Sequence, residues 1–142
     1  MSTDGTRVLV PVDDSDHAQR AADLAAELFP GGTLVLLHVV NPTEVGFGAE
    51  AAIPTFPEGW YEETVEHAER IFETIGATVD ANTDTEVEVG QPTRTIVEYA
   101  DGADIDHIVM GSHGRKGVSR VLLGSVAESV MRRASVPVTV VR

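Results

Sequence analysis

The chain of 142 residues contains no cysteine, so disulfides, thiolate metal sites and cysteine nucleophiles are excluded. Aromatics supply only 5% of it against 42% apolar residues, which points to a core of Val, Leu, Ile and Ala. Positive charge is scarce: 10 basic residues face 23 acidic ones for a net charge of −13, and Lys116 is the only lysine. Such a surface repels nucleic acid, whose binding depends on basic patches. The balance belongs either to an ordinary acidic bacterial protein or to one from a cell that accumulates molar salt. In molar salt a Debye length of about 3 Å screens the self-repulsion, and the scarcity of lysine favours that halophilic reading. No apolar run approaches the roughly 18 residues of a membrane span, and the N-terminus, with Asp4, does not read as a signal peptide. A cytoplasmic protein of one domain, residues 1–142, with a core of its own is expected.

What is present alternates. Arg7-Val8-Leu9-Val10-Pro11-Val12 is too short for a helix and rich in β-branched residues, as a buried strand should be. Asp13-Asp14-Ser15 then offers helix N-cap candidates, and Ala18, Ala21, Ala22, Ala25, Leu28 and Phe29 form a helical stripe ended by Pro30-Gly31-Gly32. Thr33–Val40 reads as a second strand covered on both faces. Residues 41–59 read as a loop which, at roughly 19 residues, suits a lid or a disordered stretch. Tyr61, Val65, Ala68, Phe72 and Ile75 restore helical spacing, and Glu62, Glu63, Glu66, Glu69 and Glu73 form a solvated face. Thr85–Val89 is a modest third strand, and Pro92 opens a helix running to about Ala100. Asp106–Met110 is a fourth strand, Val126 to Ala134 a last helix, and Val136–Val141 a fifth strand.

Five strands alternating with helices imply an α/β fold: an open, mostly parallel sheet with helices on both faces. Right-handed crossovers and the order 3-2-1-4-5 are expected. The chain then reverses its winding between strands 1 and 4, and a crevice opens beyond their C-terminal ends, at Asp13 and Gly111.

Between strand 4 and the last helix lies the most distinctive segment, Gly111-x2-Gly114-x9-Gly124-Ser125, which holds Arg115, Lys116 and Arg120. A glycine-rich strand-to-helix loop can wrap backbone N–H groups around phosphate oxygens. The two commonest phosphate motifs are absent. Lys116 lacks the flanking glycine and hydroxyl residue of a Walker A loop, and Asp13-Asp14-Ser15 stands where a dinucleotide fingerprint needs glycines. The five histidines, His17, His38, His67, His107 and His113, show no metal-ligand spacing, and no Gly-x-Ser-x-Gly nucleophile elbow occurs. His38, ending a buried strand, reads as a core or rim residue.

Pro11-Val12-Asp13, His38-Val39, Gly90-x-Pro92, the glycine segment and the closing Pro137-Val138-Thr139-Val140-Val141 together resemble the universal stress protein family, over nearly the whole chain. The resemblance implies an adenine-nucleotide alpha-hydrolase-like fold and a site for ATP (or ADP or AMP) with Mg²⁺. It would place Pro11 and Val12 against the base, the backbone of Val39 at the adenine edge, and Asp13 at the ribose. Gly111, His113 and Gly114 would approach ribose and phosphates, with Met110 and Arg115 counted among the contacts. Gly124, Ser125 and Val126 would hold the distal phosphates. It also implies a homodimer through strand 136–141, whose Pro137 suits a sheet edge.

Several of these residues have a second reading. Asp13 either meets a ribose hydroxyl or caps the first helix. Ser125 either contacts phosphate or opens a Ser125-x-x-Glu128 capping box. Arg115, Lys116 and Arg120 either neutralise a triphosphate or offset surface carboxylates. The functional expectation is an ATP-binding stress-response switch or sensor with a downstream protein partner, at most a slow ATPase. The alternatives are an adenylyl-transferring or ATP-hydrolysing enzyme, or a dimeric module that binds no nucleotide.

Overall fold

The computed structural model describes residues 5–42, 59–113 and 123–142. Five strands, β1 (Arg7–Pro11), β2 (Thr33–Val40), β3 (Asn82–Val89), β4 (His107–Gly111) and β5 (Val138–Val141), alternate with four helices. The helices are α1 (Asp16–Leu28), α2 (Trp60–Gly76), α3 (Pro92–Gly102) and α4 (Ser125–Arg133). Every strand pair is parallel and the order is β3-β2-β1-β4-β5, the order expected from the alternation of elements.

The pleat sorts the core into two layers, because successive side chains of a strand point to opposite faces. Val8 and Val10 of β1, Leu34 and Leu36 of β2 and Val109 of β4 pack with the alanine stripe of α1 and with Ala68, Ile71, Phe72 and Ile75 of α2. Leu9, Val35, Leu37, Ile108 and Met110 pack on the other face against Ile96 and Ala100 of α3 and Ala127 and Val130 of α4. The central strands are covered on both sides, which is why they read as unbroken apolar runs.

The ends of the sheet differ from the expectation. β3 begins at Asn82, three residues before Thr85, and pairs with β2 along its whole length, from Thr33↔Asn82 to Val40↔Val89. It is an edge strand whose residues 82–86 are exposed, so the polar run Asn82-Thr83-Asp84 is solvated and carries no apolar signal. β5 begins at Val138 rather than Val136, although the carbonyl of Pro137 already accepts from the Ile108 N–H at 2.9 Å. β4 is displaced by one residue, running from His107 to Gly111, although the Asp106 N–H already donates to the Arg7 carbonyl of β1 at 2.8 Å. The stretch expected to be a long loop lies, apart from its first two residues and Gly59, outside the described residues.

Candidate functional site

Beyond the C-terminal ends of the strands, backbone hydrogen bonds prolong the ladders by one residue. The Val12 N–H donates to the Leu37 carbonyl at 2.8 Å, and the Ser112 N–H to the Val141 carbonyl at 2.6 Å. The chain after β1 then turns sharply: a carboxylate oxygen of Asp13 accepts from the Ser15 N–H at 2.9 Å. Ser15, extended at φ −91° and ψ 159°, is the N-cap of α1, and its hydroxyl accepts from the Ala18 N–H at 3.2 Å. The reading of Asp13 as helix cap is therefore corrected. Asp13 folds the turn that delivers the cap, an Asx turn suited to its short acceptor side chain.

Two glycines close the opposite wall by letting backbones approach. A Cβ on Gly111 would lie 2.6 Å from the Cβ of His17 in the first turn of α1, so only glycine lets that helix seat against the end of β4. A Cβ on Gly124 would lie 2.5 Å from the Ser112 carbonyl oxygen, the same oxygen that accepts from the Gly124 N–H at 2.8 Å. The two ends of the glycine segment are thus pinned together at Ser112 and Gly124. Gly114, Arg115, Lys116 and Arg120 lie outside the described residues.

Gly124, not Ser125, is the N-cap of α4, extended at φ −65° and ψ 153°. The expected capping box does not form. Ser125 is already inside the helix, and the Glu128 side chain instead reaches forward to Arg132 at 2.7 Å. A glycine cap contributes no side-chain acceptor of its own, so Gly124 leaves the first-turn N–H groups of α4 uncapped by the N-cap residue. Such a helix start is a place where an anion is stabilised.

These walls enclose one cleft of about 710 Å³ at the point where the sheet reverses its winding. Pro11, Val12 and Asp13 come from the end of β1 and its turn, and Val39 from the end of β2. Met110, Gly111 and His113 follow β4, while Gly124, Ser125 and Val126 open α4. Residues separated by about a hundred positions in the chain share this single opening.

Sequence reasoning missed a fourth wall. Trp60, Thr64, His67 and Ile71, spaced along one face of α2, also line the cleft, and Glu63 joins them. The i, i+4, i+7, i+11 spacing was the available signal, but it was obscured by the glutamates expected to be merely solvated. His38 is a rim residue held by a specific hydrogen bond. Its Nδ1 lies 2.9 Å from the Val12 carbonyl, which makes Nδ1 the protonated nitrogen. Its ring meets that of His67 edge-on at 6.1 Å, joining β2 to α2.

The charge distribution gives the cleft a polarity. Its described lining includes the carboxylates of Asp13, Asp14 and Glu63, the imidazoles of His38, His67 and His113, and no Lys or Arg. Carboxylates accept from hydroxyls and repel phosphates, so the end beside Asp13 suits a sugar and the start of α4 suits an anion. Among the described residues, no group of three or more His, Asp or Glu side chains is arranged to hold a metal ion, and no helix is long and apolar enough to cross a membrane.

Comparison with known proteins gives the family and the fold. Residues 5–142 match the universal stress protein family. The universal stress protein MJ0531 of Methanocaldococcus jannaschii is 34% identical over 140 residues, which cover 96% of this chain and 81% of that protein. The solved structure of MJ0577 from the same organism superposes with a TM-score of 0.80 at 29% identity, covering 96% of this chain and 94% of the other. A universal stress protein of Archaeoglobus fulgidus, solved in complex with dAMP, shares the fold with a TM-score of 0.66 at 24% identity, covering 96% of this chain and 98% of its own.

Proposed function

Since the chain belongs to the universal stress protein family, we propose that it binds an adenine nucleotide, ATP with Mg²⁺, in the cleft between β1, β4 and α2 and works as a nucleotide-dependent switch in the stress response. One observation carries this reading. The cleft joins a carboxylate after β1 to the start of α4, whose N-cap is a glycine, so that one provides an acceptor for ribose and the other backbone donors for phosphate. The apolar lining between them, Pro11, Val12, Val39 and Ile71, suits a base, and the volume of about 710 Å³ falls in the range of small-molecule sites. That a relative of the same fold was solved with dAMP supports the choice of adenine.

In this reading Asp13 holds the ribose, the Val39 backbone meets the adenine edge, and the α4 N-terminus with Ser125 and Val126 holds phosphate. Gly114 and Arg115, outside the described residues, are expected on the phosphate side by the family resemblance, where a guanidinium would offset the anion. Mg²⁺ bound with the nucleotide would offset part of the phosphate charge in a cleft whose described lining holds Asp13, Asp14 and Glu63 but no Lys or Arg. Binding shifts the population of the segments that border the cleft, and a downstream protein reads the result. The edge strand β5, with all four residues half-buried, pairs with its twin in a two-fold dimer. The net charge of −13 fits a working solvent of molar salt, in which that charge is screened.

The chain supplies its own probe. Trp60 is its only tryptophan and lines the cleft. Titrating MgATP into the protein in molar KCl should change Trp60 emission saturably, with GTP much weaker. A flat titration accompanied by no heat of binding in calorimetry refutes the reading. Mass spectrometry of the small molecule released on denaturation identifies the nucleotide carried from the cell.

A further inference from the structure

Ser112 stands apart from its neighbours at the mouth of the cleft. It is a polar residue only 4% exposed, and its backbone is held twice, donating to the Val141 carbonyl at 2.6 Å and accepting from the Gly124 N–H at 2.8 Å. Its buried side chain has little freedom, and its hydroxyl lies 3.2 Å from Nδ1 of His113, which lines the cleft beside it. The ring of His17 also meets the ring of His113, with centroids 5.8 Å apart and tilted by 54°. His17 can stand there because Gly111 has no Cβ; one added would lie 2.6 Å from the His17 Cβ. The imidazole of His113 is therefore fixed by a hydroxyl at one nitrogen and by a second ring.

We propose that Ser112 and His17 are positioning residues that hold the His113 imidazole with its proton on Nε2, so that it presents a neutral N–H donor to a ribose or phosphate oxygen of the bound nucleotide. The proposal rests on the nucleotide reading above. A neutral imidazole has one donor and one acceptor nitrogen, and the tautomer is assigned from the partners. Phosphate oxygens only accept, so the nitrogen that faces them must carry the proton. Nδ1 then holds a lone pair, and the Ser112 hydroxyl, which can rotate to donate, fills it. The relay runs from the Ser112 hydroxyl to Nδ1, and from Nε2–H to the ligand oxygen, so the imidazole uses one nitrogen as acceptor and the other as donor. Second partners of this kind select the tautomer of histidines that bind ligands. In a chain with 23 acidic residues, a neutral donor also binds the nucleotide without attracting nearby carboxylates into competition.

The test reads the ring nitrogens directly. At about pH 8, above the ordinary imidazole range near 6.5, ¹⁵N NMR of the nucleotide-free protein should show His113 with Nε2 protonated and Nδ1 accepting. The signal is assigned by its loss in His113→Gln. In Ser112→Ala that signature should move toward the mixed value of a freely exchanging imidazole, and MgATP affinity should fall about fivefold, as for one lost hydrogen bond. His17→Ala should shift the signature in the same direction, and His17→Phe, which restores a ring, should return it. A buried hydroxyl with a purely structural role lowers the melting temperature but leaves the His113 tautomer as it was. An unchanged signature in Ser112→Ala, or a changed one with wild-type affinity, overturns the proposal. Failure of the wild-type protein to bind MgATP is a different result and overturns the nucleotide reading itself.

Discussion

Gly111→Ala separates two explanations of a glycine beside a ligand cleft. If glycine is there so that a nucleotide can approach, the substitution harms binding and leaves the free protein intact. The packing predicts otherwise. The added Cβ would sit 2.6 Å from the Cβ of His17 and 3.2 Å from both the carbonyl carbon and the carbonyl oxygen of that residue. Non-bonded carbons rest about 3.5–4.0 Å apart, so α1 or the end of β4 must move by roughly 1 Å. Both belong to the buried core, where overpacking costs about 1–3 kcal/mol. At about 4 °C per kcal/mol for a chain of this size, the melting temperature without nucleotide should fall by roughly 4–12 °C. Gly124→Ala, 2.5 Å from the Ser112 carbonyl oxygen, should behave similarly. Gly76→Ala and Gly102→Ala are the controls: each lies at the end of a helix with nothing within 4 Å of the added methyl. Alanine is the better helix former by about 0.5–1 kcal/mol, so these two should melt at or above wild type. Thermal and urea denaturation of all four, in the same salt and free of nucleotide, decide the matter. A Gly111→Ala protein as stable as Gly102→Ala, with only its affinity impaired, refutes the packing argument.

Helix capping gives a second contrast: Ser15→Ala should cost about 1 kcal/mol in urea denaturation, whereas Ser125→Ala should cost far less, because Ser125 lies past the cap. Asp13→Ala should weaken MgATP binding about tenfold or more by calorimetry, on the scale of a charged hydrogen bond, with a smaller loss of stability from the Ser15 N–H it leaves behind. Burial lowers the His107 pKa below its ordinary value, so the folded protein holds that ring neutral where the unfolded chain takes a proton. The unfolded state binds more protons below about pH 6.5, and stability should therefore decline as pH falls through that region, less steeply in His107→Gln; denaturation midpoints between pH 5 and 8 measure it. With a net charge of −13, the melting temperature should rise between 0.1 M and molar KCl as the Debye length falls from about 10 to 3 Å, and a flat or falling profile counts against the halophilic reading.

Local pattern was enough for much of the fold. The unbroken apolar runs of β1 and β2, the alanine stripe of α1 and Pro92 at the start of α3 are short-range signals, and each element appears where its period requires. The parallel order follows, because alternation and right-handed crossovers leave few other arrangements. The switch point then brings Asp13, Val39, Gly111 and Gly124 to one end of the sheet. Other features depend on pairs of residues that no window of sequence contains. β3 extends to Asn82 because β2 offers it a partner, not because its polar residues prefer a strand. Asp13, Ser15 and Ser125 are all chemically able to cap a helix, and only the backbone angles around them chose Ser15 and Gly124. The α2 wall of the cleft was masked by its glutamates until the helix was laid against β2. Gly111 reads in sequence as half of a phosphate loop, yet what a side chain there would meet is His17, distant in the chain and brought to the end of β4 by the fold. Periodicity determines which face of an element is buried. What that face meets is decided by contacts between distant parts of the chain, and only the tertiary structure holds them.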